Sequence, residues 1–170
     1  ATGQGAPGNP MISSTDANAR RLVAAGLRNP FRFAFRPGTS EVWSGDVGWG
    51  TWEEINRIAN PTDGSIDNFG WPCMEGNQVS GGYNFGLNMC ERIYSGAVPT
   101  VPPHFAYNHA NSVAPGDGCI DNIGSSVSGA AFYTGNSYPA QYRGALFFAD
   151  YTRRCIWTMF PGADGVPDPA

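Results

Sequence analysis

The sequence predicts an all-β chain of repeated antiparallel meanders, the pattern of four-stranded β-propeller blades. Three observations carry this. Turn formers are abundant, with 23 Gly and 14 Pro in 170 residues, while only 14% of residues are charged and 41% are apolar. The run FRFAFR at 31–36 alternates strictly, with Phe31, Phe33 and Phe35 on one side and Arg32, Ala34 and Arg36 on the other, the period of a half-buried strand. A unit of three short strands then recurs near the C-terminus, and antiparallel units of about 45 residues closing on aromatic and Gly signals are what propeller blades look like in sequence. A flat sandwich is the alternative arrangement.

Residues 1–14 are small, polar and Gly/Pro-rich and read as a linker entering the fold. In TDANARRLVAAGL (15–27), an N-cap at Thr15 or Asp16 and a stop at Gly26 predict one or two helical turns. After FRFAFR, Pro37-Gly38 turns the chain into EVWSGD (41–46), which VGWGTW joins to EEINRI (53–58); NPTDGSIDNFGWP closes the unit with turn residues. The stretch from Cys73 to Gly118 is long and poor in periodic pattern, and the Pro pair within PTVPPHFAYNH favours an extended edge or loop. The second meander is SSVSGAAFY (125–133), the turn TGNSYPAQYR, GALFFADY (144–151) and RRCIWTMF (153–160). Residues 1–170 thus read as part of a single propeller domain.

Composition excludes several functions. A net charge of −4 argues against a nucleic-acid partner, since such proteins gather positive charge on one face. All ten basic residues are Arg, which removes Schiff-base chemistry and a P-loop lysine from this chain. The Ser-rich GSSVSG at 124–129 is not a nucleophile elbow, so a hydrolase is disfavoured. Cys73, Cys90, Cys119 and Cys155 form no C-x-x-C and have no His at zinc spacing, which favours two disulfides and an oxidising compartment. Three connectivities are open; Cys73–Cys90, stapling the long loop, with Cys119–Cys155, tying a loop to a strand, is favoured. With no apolar run of membrane length and no signal peptide, the expectation is a mature secreted or periplasmic bacterial protein with no membrane partner.

The run AAGLRNPFRFAFRPGT (24–39), then DVGWGTWEEINRI (46–58), then NFGWP (68–72), resembles the glucose/sorbosone dehydrogenase family in order and spacing, and GAAFYTGNSYPAQYRGALFFADY (129–151) resembles the blade that follows. The resemblance covers about residues 20–160. It implies a six-bladed propeller that holds pyrroloquinoline quinone (PQQ) and a calcium ion and oxidises aldose sugars or related alcohols. At about 45 residues a blade, 170 residues supply three to four blades, so the rest of the ring is expected from a missing segment or a second chain.

The resemblance also assigns residues. Arg28 and Asn29 match positions that hydrogen-bond PQQ, a planar tricarboxylated quinone suited to guanidinium forks. The alternatives are an arginine bracing its loop and a turn-forming Asn before Pro30. Gly48 and Trp49 match two successive residues whose backbone carbonyls hold calcium, an ion that prefers oxygen ligands. Some members differ at Trp49, and Trp49 as packing is the alternative. The family's histidine base precedes the R-N-P motif, and no histidine precedes Arg28, so no catalytic residue is assigned; His104 and His109 read as structural. Where some members carry a cofactor-adjacent lysine after A-D-Y, this chain has Thr152-Arg153-Arg154, so either Arg153 supplies the charge or the contact is absent. Glu53 and Glu54, adjacent on a strand, face opposite sides and cannot act as an acid–base pair; one is expected in solvent and the other bracing a blade. A second function is a non-catalytic propeller binding carbohydrate or protein, for which Trp49, Trp52, Trp71, Tyr83, Tyr94 and Tyr107 supply aromatic faces.

Overall fold

Alternation and turn chemistry place strands where expected in a computed structural model that describes residues 3–83, 86–119 and 123–169. Ala1 and Thr2 of the entry segment, and Asn84 and Phe85 of the long loop, lie outside the described residues. The strands are β1 (Ala24–Ala25), β2 (Pro30–Phe35), β3 (Val42–Asp46), β4 (Trp52–Ile58), β5 (Asp67–Asn68), β6 (Met74–Glu75), β7 (Gln78–Val79), β8 (Phe105–Asn108), β9 (Val127–Phe132), β10 (Leu146–Asp150), β11 (Cys155–Pro161) and β12 (Pro167–Asp168). One α-helix, α1 (Asn88–Tyr94), and two 3-10 turns, Ala19–Arg21 and Ala140–Tyr142, complete the described elements. The chain is all-β. Two four-stranded sheets dominate, in the orders β2-β3-β4-β8 and β9-β10-β11-β12, with antiparallel pairs throughout.

Both predicted meanders are present, and each gains a fourth strand that sequence pattern did not isolate. FAYN within the predicted extended stretch becomes β8, pairing Trp52 with Asn108 and Ile55 with Phe105. The two-residue β12 closes the second sheet. The long loop is more structured than its lack of period implied: it holds the β6–β7 hairpin and α1, pinned by Cys73–Cys90. Cys119–Cys155 forms as well, so the favoured pairing is the one adopted.

Two local expectations are corrected. The helix predicted over 15–27 shrinks to the 3-10 turn at Ala19–Arg21, because Leu22 is already extended and Ala24–Ala25 pairs in parallel with Asp67–Asn68. Tertiary pairing here overrides a weak helical preference. The aromatic row of β2 is not its buried side: Phe31, Phe33 and Phe35 are 55%, 61% and 62% exposed. The opposite side of β2 meets β9 instead.

The core lies between the sheets. Trp43, Ile55 and Tyr107 from the first interdigitate with Val127, Leu146, Phe148 and Met159 from the second. Contact is closest at Gly45, where an added Cβ would stand 2.9 Å from the Val127 Cγ2. Val127 is fully buried and stiff at χ1, so it has little room to give. Glu53, also fully buried, crosses the interface: its carboxylate accepts the Val127 N–H at 2.8 Å and pairs with His109 Nε2 at 2.8 Å. Glu54 does face the other way, but neither glutamate is in solvent, because the turn after β6 covers the second face and Gly76 donates its N–H to Glu54 at 2.7 Å. The outer faces of the pair of sheets carry exposed apolar side chains, Phe33 and Phe35 on one and Ile156 and Phe160 on the other. No helix among the described residues is long and apolar enough to cross a membrane.

The contact between Gly45 and Val127 is directly testable. Gly45→Ala should destabilise the protein by about 1–3 kcal/mol in urea unfolding, the usual cost of overpacking, and Gly45→Ala with Val127→Ala should cost less than the sum of the two single changes. Additive losses would show that the sheets do not meet there.

Candidate functional site

Three separate stretches, 24–30, 46–52 and 67–75, meet at the end of the first sheet where β2 begins and β3 ends. The β1–β5 pairing continues past the strands: Phe69 and Trp71 donate backbone N–H groups to the carbonyls of Ala25 and Gly26, each at 2.9 Å. A Cβ on Gly26, at φ +69°, would run into the Asn68 side chain and the Gly70 nitrogen, so only glycine lets the segments lie this close. The result sets the Arg28 guanidinium 5.5 Å from the centroid of the Trp71 ring.

Asp46, buried at the end of β3, accepts the N–H of Arg28 at 2.9 Å and the N–H of Asn29 on its other oxygen. Burial raises the Asp46 carboxyl above the usual range, and the Glu53 charge adds to this, while the two N–H groups oppose it. Arg28 donates through Nη1 to the Val47 carbonyl at 3.0 Å, and Val47 in turn donates its N–H to the Asn29 carbonyl at 3.0 Å. Among the described residues, the guanidinium makes no other hydrogen bond and the exposed Asn29 amide makes none. Arg28 therefore both braces its loop and keeps spare N–H groups, so the structural and ligand-binding readings of this arginine are compatible.

The loop 48–52 is organised around one carboxylate. Glu75 Oε1 accepts the N–H groups of Trp49, Gly50, Thr51 and Trp52 at 2.8, 2.8, 2.9 and 3.2 Å. Burial alone would raise this carboxyl, but the four N–H donors hold it below the ordinary range. Gly48 has no alternative here, since a Cβ would overlap the Trp52 carbonyl. Trp49 is half exposed; its ring lies over Gly82 and packs with Trp71 at 6.2 Å and Tyr83 at 5.4 Å between centroids. Among the described residues, none donates a hydrogen bond to the carbonyl of Gly48 or of Trp49. The four predicted site residues, Arg28, Asn29, Gly48 and Trp49, are thus brought to one loop cluster, joined by Asp46 and Val47.

A family model described as glucose/sorbosone dehydrogenase matches residues 1–161. The chain belongs to the glucose/sorbosone dehydrogenase family. No curated protein and no solved structure matches it. Family membership indicates sugar dehydrogenase activity, an oxidoreductase reaction. The two disulfides fit an extracellular or periplasmic member.

Other candidate positions of this family member are structural. Arg153 is 1% exposed, and its guanidinium is spent on Ser125 Oγ and the carbonyls of Asn111 and Asn108, each at 2.6 Å, beside the Tyr107 ring. These three bonds tie together the segments around Asn108, Asn111 and Ser125. His104 meets the Pro167 carbonyl at 2.7 Å and His109 meets Glu53, the structural roles expected of both. Sequence reasoning missed Asp46 and Glu75. Asp46 carried one signal, an acid ending a strand just before a Gly-rich loop; Glu75, 26 residues from Trp49, carried none.

Glu54 gives the region a pH dependence. Burial pushes its carboxyl up to about 7 from 4.5, against hydrogen bonds from Asn56 and Gly76. A raised folded-state value means that this stabilisation is complete below about pH 4.5 and is lost as pH rises through about 7. Urea unfolding of Glu54→Gln should therefore lose less stability than the parent between pH 4.5 and 8, by about 3 kcal/mol across that window. Parallel pH profiles would remove the assignment.

Proposed function

We propose that this chain supplies part of the site of a PQQ- and calcium-dependent dehydrogenase that oxidises an aldose sugar or a related alcohol. The observation that carries the reading is the joining, through Asp46 and Val47, of an arginine with spare donors to a loop whose Gly48 and Trp49 carbonyls have no donor among the described residues. The donor sets fit the two groups. Carbonyl oxygens suit calcium, and a guanidinium beside an indole face suits a planar polycarboxylate.

In this reading Arg28 binds a cofactor carboxylate, Trp71 supplies flat apolar cover, and Asn29 donates from its side-chain amide. Asp46 fixes the backbone from which both side chains project. The carbonyls of Gly48 and Trp49 hold the cation. When bound, PQQ would supply a two-electron hydride acceptor and calcium a Lewis acid beside it.

The same reading makes the two sheets neighbouring blades of a propeller. Each is a four-stranded meander, and the first strand of the second, β9, packs on β2 and β3 of the first. The exposed Phe33 and Phe35 face and the exposed Ile156 and Phe160 face are then the surfaces on which further blades sit, from another segment of the polypeptide or a second chain. The general base belongs to one of those blades. The clustered rings of Trp49, Trp71 and Tyr83 also suit a sugar face without any redox step, which keeps a carbohydrate-binding propeller as the second reading.

The full polypeptide, supplied with PQQ and calcium, should reduce a dye in the presence of aldose and change the absorbance of the cofactor. Arg28→Ala should weaken PQQ binding about 10- to 100-fold, the range for losing a charged hydrogen bond. Unchanged cofactor absorbance with no dye reduction, alongside measurable sugar binding, would select the second reading.

A further inference from the structure

The four N–H groups that converge on Glu75 fix where the intervening carbonyls go. The only cis peptide among the described residues is Trp71–Pro72, so the peptides between residues 48 and 52 are trans and planar. In such a unit the C=O of one residue is antiparallel to the N–H of the next. With the N–H groups of Trp49, Gly50, Thr51 and Trp52 on Glu75, the carbonyls of Gly48, Trp49, Gly50 and Thr51 are turned away from it. The Thr51 carbonyl accepts the His109 N–H at 2.9 Å; the other three have no donor among the described residues. A loop whose N–H groups enclose an anion on one side therefore presents bare carbonyl oxygens on the other.

We infer that Glu75 is a positioning residue for the cation site: it holds the 48–52 loop in the one arrangement that presents the Gly48 and Trp49 carbonyls as ligands. This rests on the reading of Gly48 and Trp49 as calcium ligands given above. Glu75 acts through the backbone, because its Oε1 accepts the four N–H groups of the loop. Its hold on the backbone ends at the first residue of β4, because Val42–Asp46 and residues 54–58 pair with each other without it. It also places the site under a residue of the disulfide-pinned segment, two positions after Cys73 and its bond to Cys90.

The test uses the full polypeptide and two variants, Glu75→Ala and Glu75→Gln. In the metal-free protein, amide hydrogen exchange at 49–52 should quicken in Glu75→Ala while β3 and the rest of β4, from Glu53 on, keep their protection. Calcium affinity, read by calorimetric titration without PQQ or sugar, should fall about 10- to 100-fold in Glu75→Ala, the range for losing a residue that orients ligands. Glu75→Gln keeps an acceptor oxygen in place and should recover most of that affinity. Calcium binding unchanged in Glu75→Ala, or lost equally in Glu75→Gln, would overturn the positioning role while leaving Gly48 and Trp49 as ligands. No calcium binding by the parent protein would overturn both.

Discussion

The packing of the two sheets turns on a carboxylate with no access to water. Glu53 lies on β4 of the first sheet yet accepts the N–H that opens β9 of the second, and its other oxygen holds His109. A buried polar group is costly unless its lone pairs are filled, so Glu53 helps fix how the sheets meet: displacing Val127 leaves Oε2 without this donor. The same strand turns Glu54 the other way, onto the Gly76 N–H, and so ties the sheet to the hairpin that carries Glu75. One pair of adjacent glutamates thereby anchors the core on one side and the site loop on the other.

Acidic side chains that accept backbone N–H groups recur as the organising device. Asp46 takes two at the start of β2, Glu75 takes four in the 48–52 loop, and Asp150 accepts the N–H groups of Ser126 and Arg153 together with the Tyr107 hydroxyl. Irregular loops leave peptide donors without strand partners, and a carboxylate satisfies several at once. In a chain without lysine, much of the acidic complement is spent on shaping backbone.

The meanders were legible because alternation and turn residues are local. FRFAFR, EVWSGD and EEINRI fall within one or two residues of β2, β3 and β4. What failed was non-local. The helix proposed over 15–27 lost to the pairing of Ala24–Ala25 with Asp67–Asn68, a partner more than 40 residues away that no local window contains. Period-2 alternation identified β2 as a strand but not which side is covered, since that depends on where β9 packs. At the site, motif order singled out Arg28, Asn29, Gly48 and Trp49, which lie in one loop cluster, but the acids holding their backbone were invisible, because a glutamate that accepts four N–H groups looks in sequence like any solvated one.

The two disulfides close loops of 17 and 36 residues, and neither runs between the sheets. Cys73 and Cys90 are both translated before Cys119, so in an N-to-C order of emergence the first bridge can close while its competitors do not yet exist. Of the three connectivities that four cysteines allow, synthesis order alone favours the native one. The sheets are then joined by the polypeptide and by packed side chains, with no disulfide across their interface.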